Sequence, residues 1–331
     1  MKPSELGIIP LVGDLDRVED LLAVSVSGAA GGLGLENGLM SDAASHLLTA
    51  GGKRLRPTLA LCAAYAVRGA DGPAEAEAVT GAATVELVHL GSLYHDDVID
   101  EAETRRGVPS VNARWSNIVA ILAGDYLLAQ ASELAASLGA DVAALLARTI
   151  GELCRGQVLE LQDLFDVDRT EQSYYSSVAG KTASLMATAC RIGGMVSHLE
   201  DEPLDALTAF GHHLGMCFQI VDDVLDVTRT DEDLGKPAGN DLHEGVYTLP
   251  VIHALGASPE LRSMLGRSID WPDVARAREM IGANGVLERS LDAAREHARK
   301  ASSAIRDTPS LDSDVTRRLT TLVDDLVDRS S

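Results

Sequence analysis

Apolar positions along this chain recur at intervals of three and four residues and almost nowhere in strict alternation, which is the helical period. That period predicts helices over 11–24, 39–48, 115–138, 141–162, 172–196 and 203–227, and in the last third over 274–287, 291–305 and 315–327. A further long apolar run (Val79, Ala82, Ala83, Leu87, Val88, Leu90, Leu93) reads as a helix that closes at Asp96. Gly, Pro and Asp punctuate the gaps, and the Gly- and Ser-rich stretch from Ser25 to Gly38 is expected to be a flexible loop. No alternating strand pattern and no repeat beyond two acidic clusters is visible. The expectation is an all-α fold, with residues 1–331 forming a single domain.

Composition sharpens this picture. A hydrophobic share of 46% is ample for a core, while aromatics at 3% leave Leu, Ala and Val to fill it, as suits helix-on-helix packing. A net charge of -22 argues against nucleic acid or an anionic membrane surface as a partner. Lys2, Lys53, Lys181, Lys236 and Lys300 are the only lysines, and the middle three fall in the motifs described below. Cys62, Cys154, Cys190 and Cys217 form no C-x-x-C pair and are expected to be reduced core residues. The N-terminus lacks a charged-then-apolar signal pattern, and no uninterrupted apolar run reaches the roughly 18–20 residues a bilayer requires. A cytoplasmic protein without a transmembrane segment is expected.

The stretch from His95 to Gly107 (HDDVIDEAETRRG) carries the first chemistry. Asp96 and Asp100 are four apart on a helix and so share a face. Two such carboxylates at a helix C-terminus favour a cation between them. Mg²⁺ suits hard oxygen ligands and completes its shell with water and phosphate oxygens. Arg105 and Arg106, one turn on, would face that phosphate. A second cluster, Gln219 to Asp226 (QIVDDVLD), also ends an apolar helix and is followed by Gly235-Lys236-Pro237. A third string, Asp324-Asp325-Leu326-Val327-Asp328, lacks both flanks and reads as a solvated helix end.

Smaller signals accompany these. Gly51-Gly52-Lys53-Arg54-Leu55-Arg56-Pro57 places cations beside a backbone able to approach a ligand, although basic Gly loops are also simple helix caps. Lys181-Thr182 fits a phosphate contact and a helix start equally well. His89, two turns before Asp96, reads by itself as a core histidine.

Taken together, Gly51–Pro57, His89, Asp96–Gly107, Lys181-Thr182, Gln219–Asp226 and Gly235-Lys236 resemble the motifs of the trans-isoprenyl (polyprenyl) diphosphate synthases, in that family's order and spacing. The resemblance covers roughly residues 40–255 and changes the reading of His89 and Lys181-Thr182 to functional ones. It implies the isoprenoid synthase type I helical bundle around a deep central cavity, usually as a homodimer. It further implies that Asp96 and Asp100 ligate Mg²⁺ from one side and Asp222 from the other, with three ions bound alongside the allylic diphosphate. Asp97, Asp223 and Asp226 would support those ligands or reach metal through water. Arg105, Lys181, Thr182, Gln219 and Lys236 would hold the allylic diphosphate primer, and Lys53, Arg56, His89 and Arg106 the isopentenyl diphosphate. One departure stands out: Val246 occupies a position after Gly245 where many relatives carry a lysine, so that phosphate contact is expected to be missing.

The expected reaction is a head-to-tail prenyl transfer. Mg²⁺ and cations would lower the barrier to ionising the allylic C–O bond, and the isopentenyl double bond would attack the resulting cation. Released diphosphate is the expected proton acceptor. In this family bulky aromatics four or five residues before the first Asp stop growth early, whereas Gly91 and Ser92 are small here. The stop should then lie at least one turn lower, about 6 Å at 1.5 Å per residue, with Val88 and Val85 next on the stripe. Products of C20 or longer are expected. A class I terpene cyclase and a non-catalytic regulatory subunit are the rival readings. The former lacks the Gly-Gly-Lys-Arg site, and the latter tends to lose the acid clusters.

Overall fold

The structure, a computed structural model, describes residues 3–27, 38–230, 238–283 and 285–328. Its main helices are α1 (Leu11–Val26), α2 (Gly38–Thr49), α3 (Leu55–Arg68), α4 (Ala76–Ile99), α5 (Asn117–Ser137), α6 (Ala140–Gln162) and α7 (Glu171–Val178). They continue as α8 (Ser184–Val196), α9 (Asp201–Thr228), α10 (Leu249–Ala257), α11 (Trp271–Gly282), α12 (Val286–Arg306) and α13 (Ser313–Asp328). Side-chain caps set several starts. Ser116 accepts from the Val119 N–H at 3.2 Å ahead of α5, and Thr170 from the Ser173 N–H at 3.1 Å ahead of α7.

The structure differs from the expected elements at four places. The single helix expected over 172–196 is interrupted by a π-helical turn, Ala179–Ala183. It lies at a close helix crossing, where a Cβ on Gly180 would stand 2.7 Å from the Glu152 carbonyl oxygen. The helix expected over 274–287 ends at Gly282, and the next begins at Val286 after Gly285 at φ +70°. A two-stranded hairpin, β1 (Thr104–Arg105) with β2 (Val108–Pro109), stands where no strand pattern was legible. Ser25 and Val26 extend α1 and Gly38 opens α2, so both ends of the expected loop are helical. Residues 28–37 of that loop lie outside the described residues, as do Gly235 and Lys236.

Contacts divide the chain into two compact units whose segments interleave in sequence. The first comprises Met1–Ile150, Leu185–Thr208 and Ile305–Leu319; the second Gly151–Ser184, Ala209–Ala304 and Thr320–Ser331. In the first unit α1, α3 and α5 pack around α4, whose side chains are all buried from Ala82 through Val88. A helix buried all round is a core helix. Gly91 lets α5 approach it closely, since a Cβ there would lie 3.1 Å from the Gly124 carbonyl oxygen and 3.2 Å from Leu128. In the second unit α10 and α11 close an apolar cluster that includes Leu242, Tyr247, Val251, Leu261, Val274 and Ile281.

Among the described residues α5 is long and apolar enough to cross a membrane by length and composition alone, although Asp125 and Glu133 interrupt its apolar run. Ile118, Ile121 and Leu122 lie exposed along it. The four cysteines are free; Cys62, Cys190 and Cys217 are buried, while Cys154 is exposed on α6 rather than in a core. Asp324, Asp325 and Asp328 are exposed at the end of α13.

Candidate active site

The first acid cluster sits at the C-terminus of α4, where Asp100 is the capping residue and its N–H bonds to the Asp96 carbonyl. Asp96 is half-buried and Asp100 exposed, one helical turn apart. Between them Asp97 turns inward and is fully buried. Arg105 grips its Oδ1 from both Nε and Nη2 at 2.6 Å, leaving Oδ2 without a hydrogen-bond partner. Burial pushes the Asp97 carboxyl up and the Arg105 charge pulls it back only in part. Asn112 pins the segment that follows by donating to the carbonyls of Asp97 (3.1 Å) and Ala102 (3.0 Å).

The hairpin explains how two consecutive arginines serve different partners. Arg106 (φ 55°) and Gly107 (φ 76°) form its two-residue turn, both left-handed, as a type I′ turn requires. Arg105 lies on the strand and reaches Asp97, while Arg106 at the tip donates to the carbonyls of Leu47 and Gly51. The tip therefore meets the Gly51–Pro57 stretch. There Arg54, itself left-handed at φ 48°, donates to Glu86 at 3.0 Å and to Glu19. Glu86 is a buried carboxylate of α4, and with Glu19 it raises the Arg54 pKa against the effect of burial. Burial lowers Arg56 to about 10, and Glu86 limits the fall. His89 is driven well below its usual pKa by burial and by Arg56, Arg106, Arg105 and Arg54, so it is neutral and offers one N–H. Lys53 is exposed at the edge.

The second cluster, on α9 in the second unit, is built differently. Asp222 is exposed, whereas Asp223 and Asp226 are buried. Tyr174 donates to Asp223 at 2.5 Å and Gln219 at 2.8 Å, and Thr182 donates to Gln219 at 2.8 Å. Burial raises the Asp223 carboxyl to about 7, the two hydrogen bonds opposing the rise and Asp222 and Glu160 adding to it. Lys181 lies in the π turn and pairs with Glu160 at 2.5 Å. A π turn widens a helix by one residue and often marks a functional position. Val246, in place of the expected lysine, is half-buried.

The donor chemistry fits a hard divalent cation, for which Asp96, Asp100 and Asp222 are accessible carboxylates. No three His, Cys, Asp or Glu side chains among the described residues converge as a finished cage. Magnesium needs none, since one or two carboxylates with phosphate and water complete its shell. Glu86, Asn112, Glu160 and Tyr174 escaped the sequence reading, and Arg54 was read only as part of its motif, without a role of its own. Glu86 left one signal, a lone charge inside an apolar run three residues before His89.

The polyprenyl synthetase family profile matches residues 37–281. The nonaprenyl diphosphate synthase of Mycobacterium tuberculosis (strain ATCC 25618 / H37Rv) is 40% identical over 95% of this chain and 91% of its own length. Among solved structures, a decaprenyl diphosphate synthase from Rhodobacter capsulatus superposes with a TM-score of 0.87 at 33% identity, covering 99% of each chain. A polyprenyl synthase from Caulobacter crescentus CB15, complexed with calcium and isoprenyl diphosphate, gives 0.86 at 32% identity over 98% of each.

Proposed function

The chain belongs to the polyprenyl synthetase family, and from that premise we propose that it joins isopentenyl diphosphate head-to-tail to an allylic diphosphate primer. The product is an all-trans polyprenyl diphosphate of C20 or longer. One observation carries this reading: Arg54, Arg56 and Arg106 cluster about Glu86 and the neutral His89 on α4, the helix whose end carries Asp96 and Asp100.

In this reading Lys53, Arg56, His89 and Arg106 bind isopentenyl diphosphate, with His89 donating a single N–H and the arginines supplying charge. Arg105, Lys181, Thr182, Gln219 and Lys236 bind the allylic diphosphate. Lys181 must leave Glu160 to do so, and Arg105 stays tied to Asp97, which fixes its direction. Asp96 and Asp100 from one side and Asp222 from the other would hold three Mg²⁺ ions, with Asp97, Asp223 and Asp226 as support. When bound, those ions supply charge neutralisation to the departing diphosphate. The C–O bond breaks with its electron pair on that diphosphate. The isopentenyl double bond then attacks the allylic cation, and the released diphosphate takes the proton. Apolar side chains on α4, Val85 and Val88 among them, keep water from the cation.

A homodimer in the cytoplasm, each chain acting as one catalytic domain, completes the proposal. Supporting it, Ile118 (70% exposed), Ile121 (43%) and Leu122 (50%) lie at i, i+3 and i+4 on α5, an apolar stripe that a second copy would cover. The test is the purified chain incubated with Mg²⁺, isopentenyl diphosphate and allylic primers, with products separated by chromatography. Linear polyprenyl diphosphates support the proposal. Cyclised hydrocarbon would assign a cyclase, and silence until a partner chain is added a regulatory subunit.

A further inference from the structure

Tyr174 belongs to none of the family motifs above, yet both oxygens of Asp223 are occupied only because it is present. The Tyr174 side chain is 2% exposed on α7, and its hydroxyl donates to Asp223 Oδ2 at 2.5 Å. Gln219, one turn before Asp223 on α9, donates from Nε2 to Oδ1 at 2.8 Å. Thr182 in the π turn donates to Gln219 Oε1 at 2.8 Å. The hydrogen-bonded chain Thr182–Gln219–Asp223–Tyr174 thus begins beside Lys181 and returns to the helix that leads into it. Tyr174 is itself held: the Arg169 guanidinium lies 5.8 Å from its ring centroid and donates to the Tyr247 carbonyl at 2.9 Å.

Resting on the proposed reaction, we infer that Tyr174 is a positioning residue for the second acid cluster. It fixes the rotation of α9 at Asp223 and so aims the neighbouring Asp222, while the same chain ties that aim to the π turn carrying Lys181 and Thr182. Cation binding at Asp222 and diphosphate binding at the π turn are then coupled through a single carboxylate. Two neutral donors suit this role better than an arginine would, because they orient Asp223 without adding positive charge where a cation is to bind.

Tyr174→Phe keeps the ring and the Arg169 contact and removes only the hydroxyl. The Mg²⁺ concentration for half-maximal rate is expected to rise about tenfold, as loss of such a supporting hydrogen bond does at metal sites. The KM for the allylic primer rises with it, while that for isopentenyl diphosphate changes by less than about twofold. A lower melting temperature with an unchanged Mg²⁺ midpoint would overturn the inference, because a merely structural hydrogen bond moves only the former. Asp223→Ala, which removes the acceptor for Tyr174, gives a second route. Its Mg²⁺ midpoint should rise, and adding Tyr174→Phe should raise it no further; additive effects would overturn the inference. Both readouts require an active wild-type enzyme, so an inactive wild type refutes the proposed reaction instead.

Discussion

Replacing Glu86 by Gln isolates what holds the basic pocket together. Glu86 is 1% exposed, accepts from Arg54 at 3.0 Å and supports the charges of Arg56 and Arg106. Without it Arg54 keeps Glu19, whose side chain is 40% exposed, while Arg56 and Arg106 lose the carboxylate that supports their charge. Two unit charges 4 Å apart at an effective dielectric of 20 attract by about 4 kcal/mol. Removing one partner of a buried pair costs about 3–5 kcal/mol. Gln keeps the volume and an acceptor oxygen, which places the expected loss at the lower end, about 3 kcal/mol. Against a total stability of about 5–15 kcal/mol, that is a large fraction. Urea unfolding followed by circular dichroism should show a lower midpoint at unchanged slope. Added inorganic diphosphate should recover more stability in the variant than in the wild type, since a bound anion replaces the missing charge. A wild-type midpoint, or equal stabilisation of both proteins, would refute this electrostatic reasoning.

Three other outcomes are expected. Gly91 faces α5, so Gly91→Phe should lower the melting temperature by colliding with Gly124 and Leu128, whereas Ser92→Phe should shorten the product on chromatography. His213 and His297, with ring nitrogens 3.1 Å apart, are each lowered from 6.5 to about 4, His213 by burial and then His212, His297 by burial and then His213, with Lys300 adding to both effects and Glu296 opposing them. The unfolded chain therefore binds protons that the folded one refuses, so stability holds above pH 6.5 and falls as pH drops toward about 4. Thermal melts across that window should show a shallower fall in His297→Gln. If the proposed homodimer forms through this stripe, light scattering should give a dimer for the wild type and a monomer for Ile118→Glu combined with Leu122→Glu.

The helices and the acid clusters were legible because both are written in local spacing: a 3.6-residue apolar period, and carboxylates four apart at its end. The hairpin was not, since strands of two residues are too short to alternate, and only Arg106-Gly107 hinted at a turn. The direction of Gly91 was equally hidden. Positions 91 and 92 differ by about 100° around α4, and which of them meets a neighbouring helix depends on packing from residues 124–128. Tyr174 reaches a carboxylate 49 positions away, a relation no window along the chain contains. The π turn follows from glycine contacts between Gly180 and α6, likewise tertiary.

The proposed roles of the two acid clusters in one reaction are tested most directly by the condensation rates of Asp96→Ala and Asp222→Ala. Both side chains are at least partly exposed, so each variant should melt with the wild type. Each should nevertheless lose turnover by about 10²- to 10³-fold or more, and chelation with EDTA should silence the wild type in the same assay. Either folded variant making polyprenyl diphosphate at the wild-type rate would contradict the shared site.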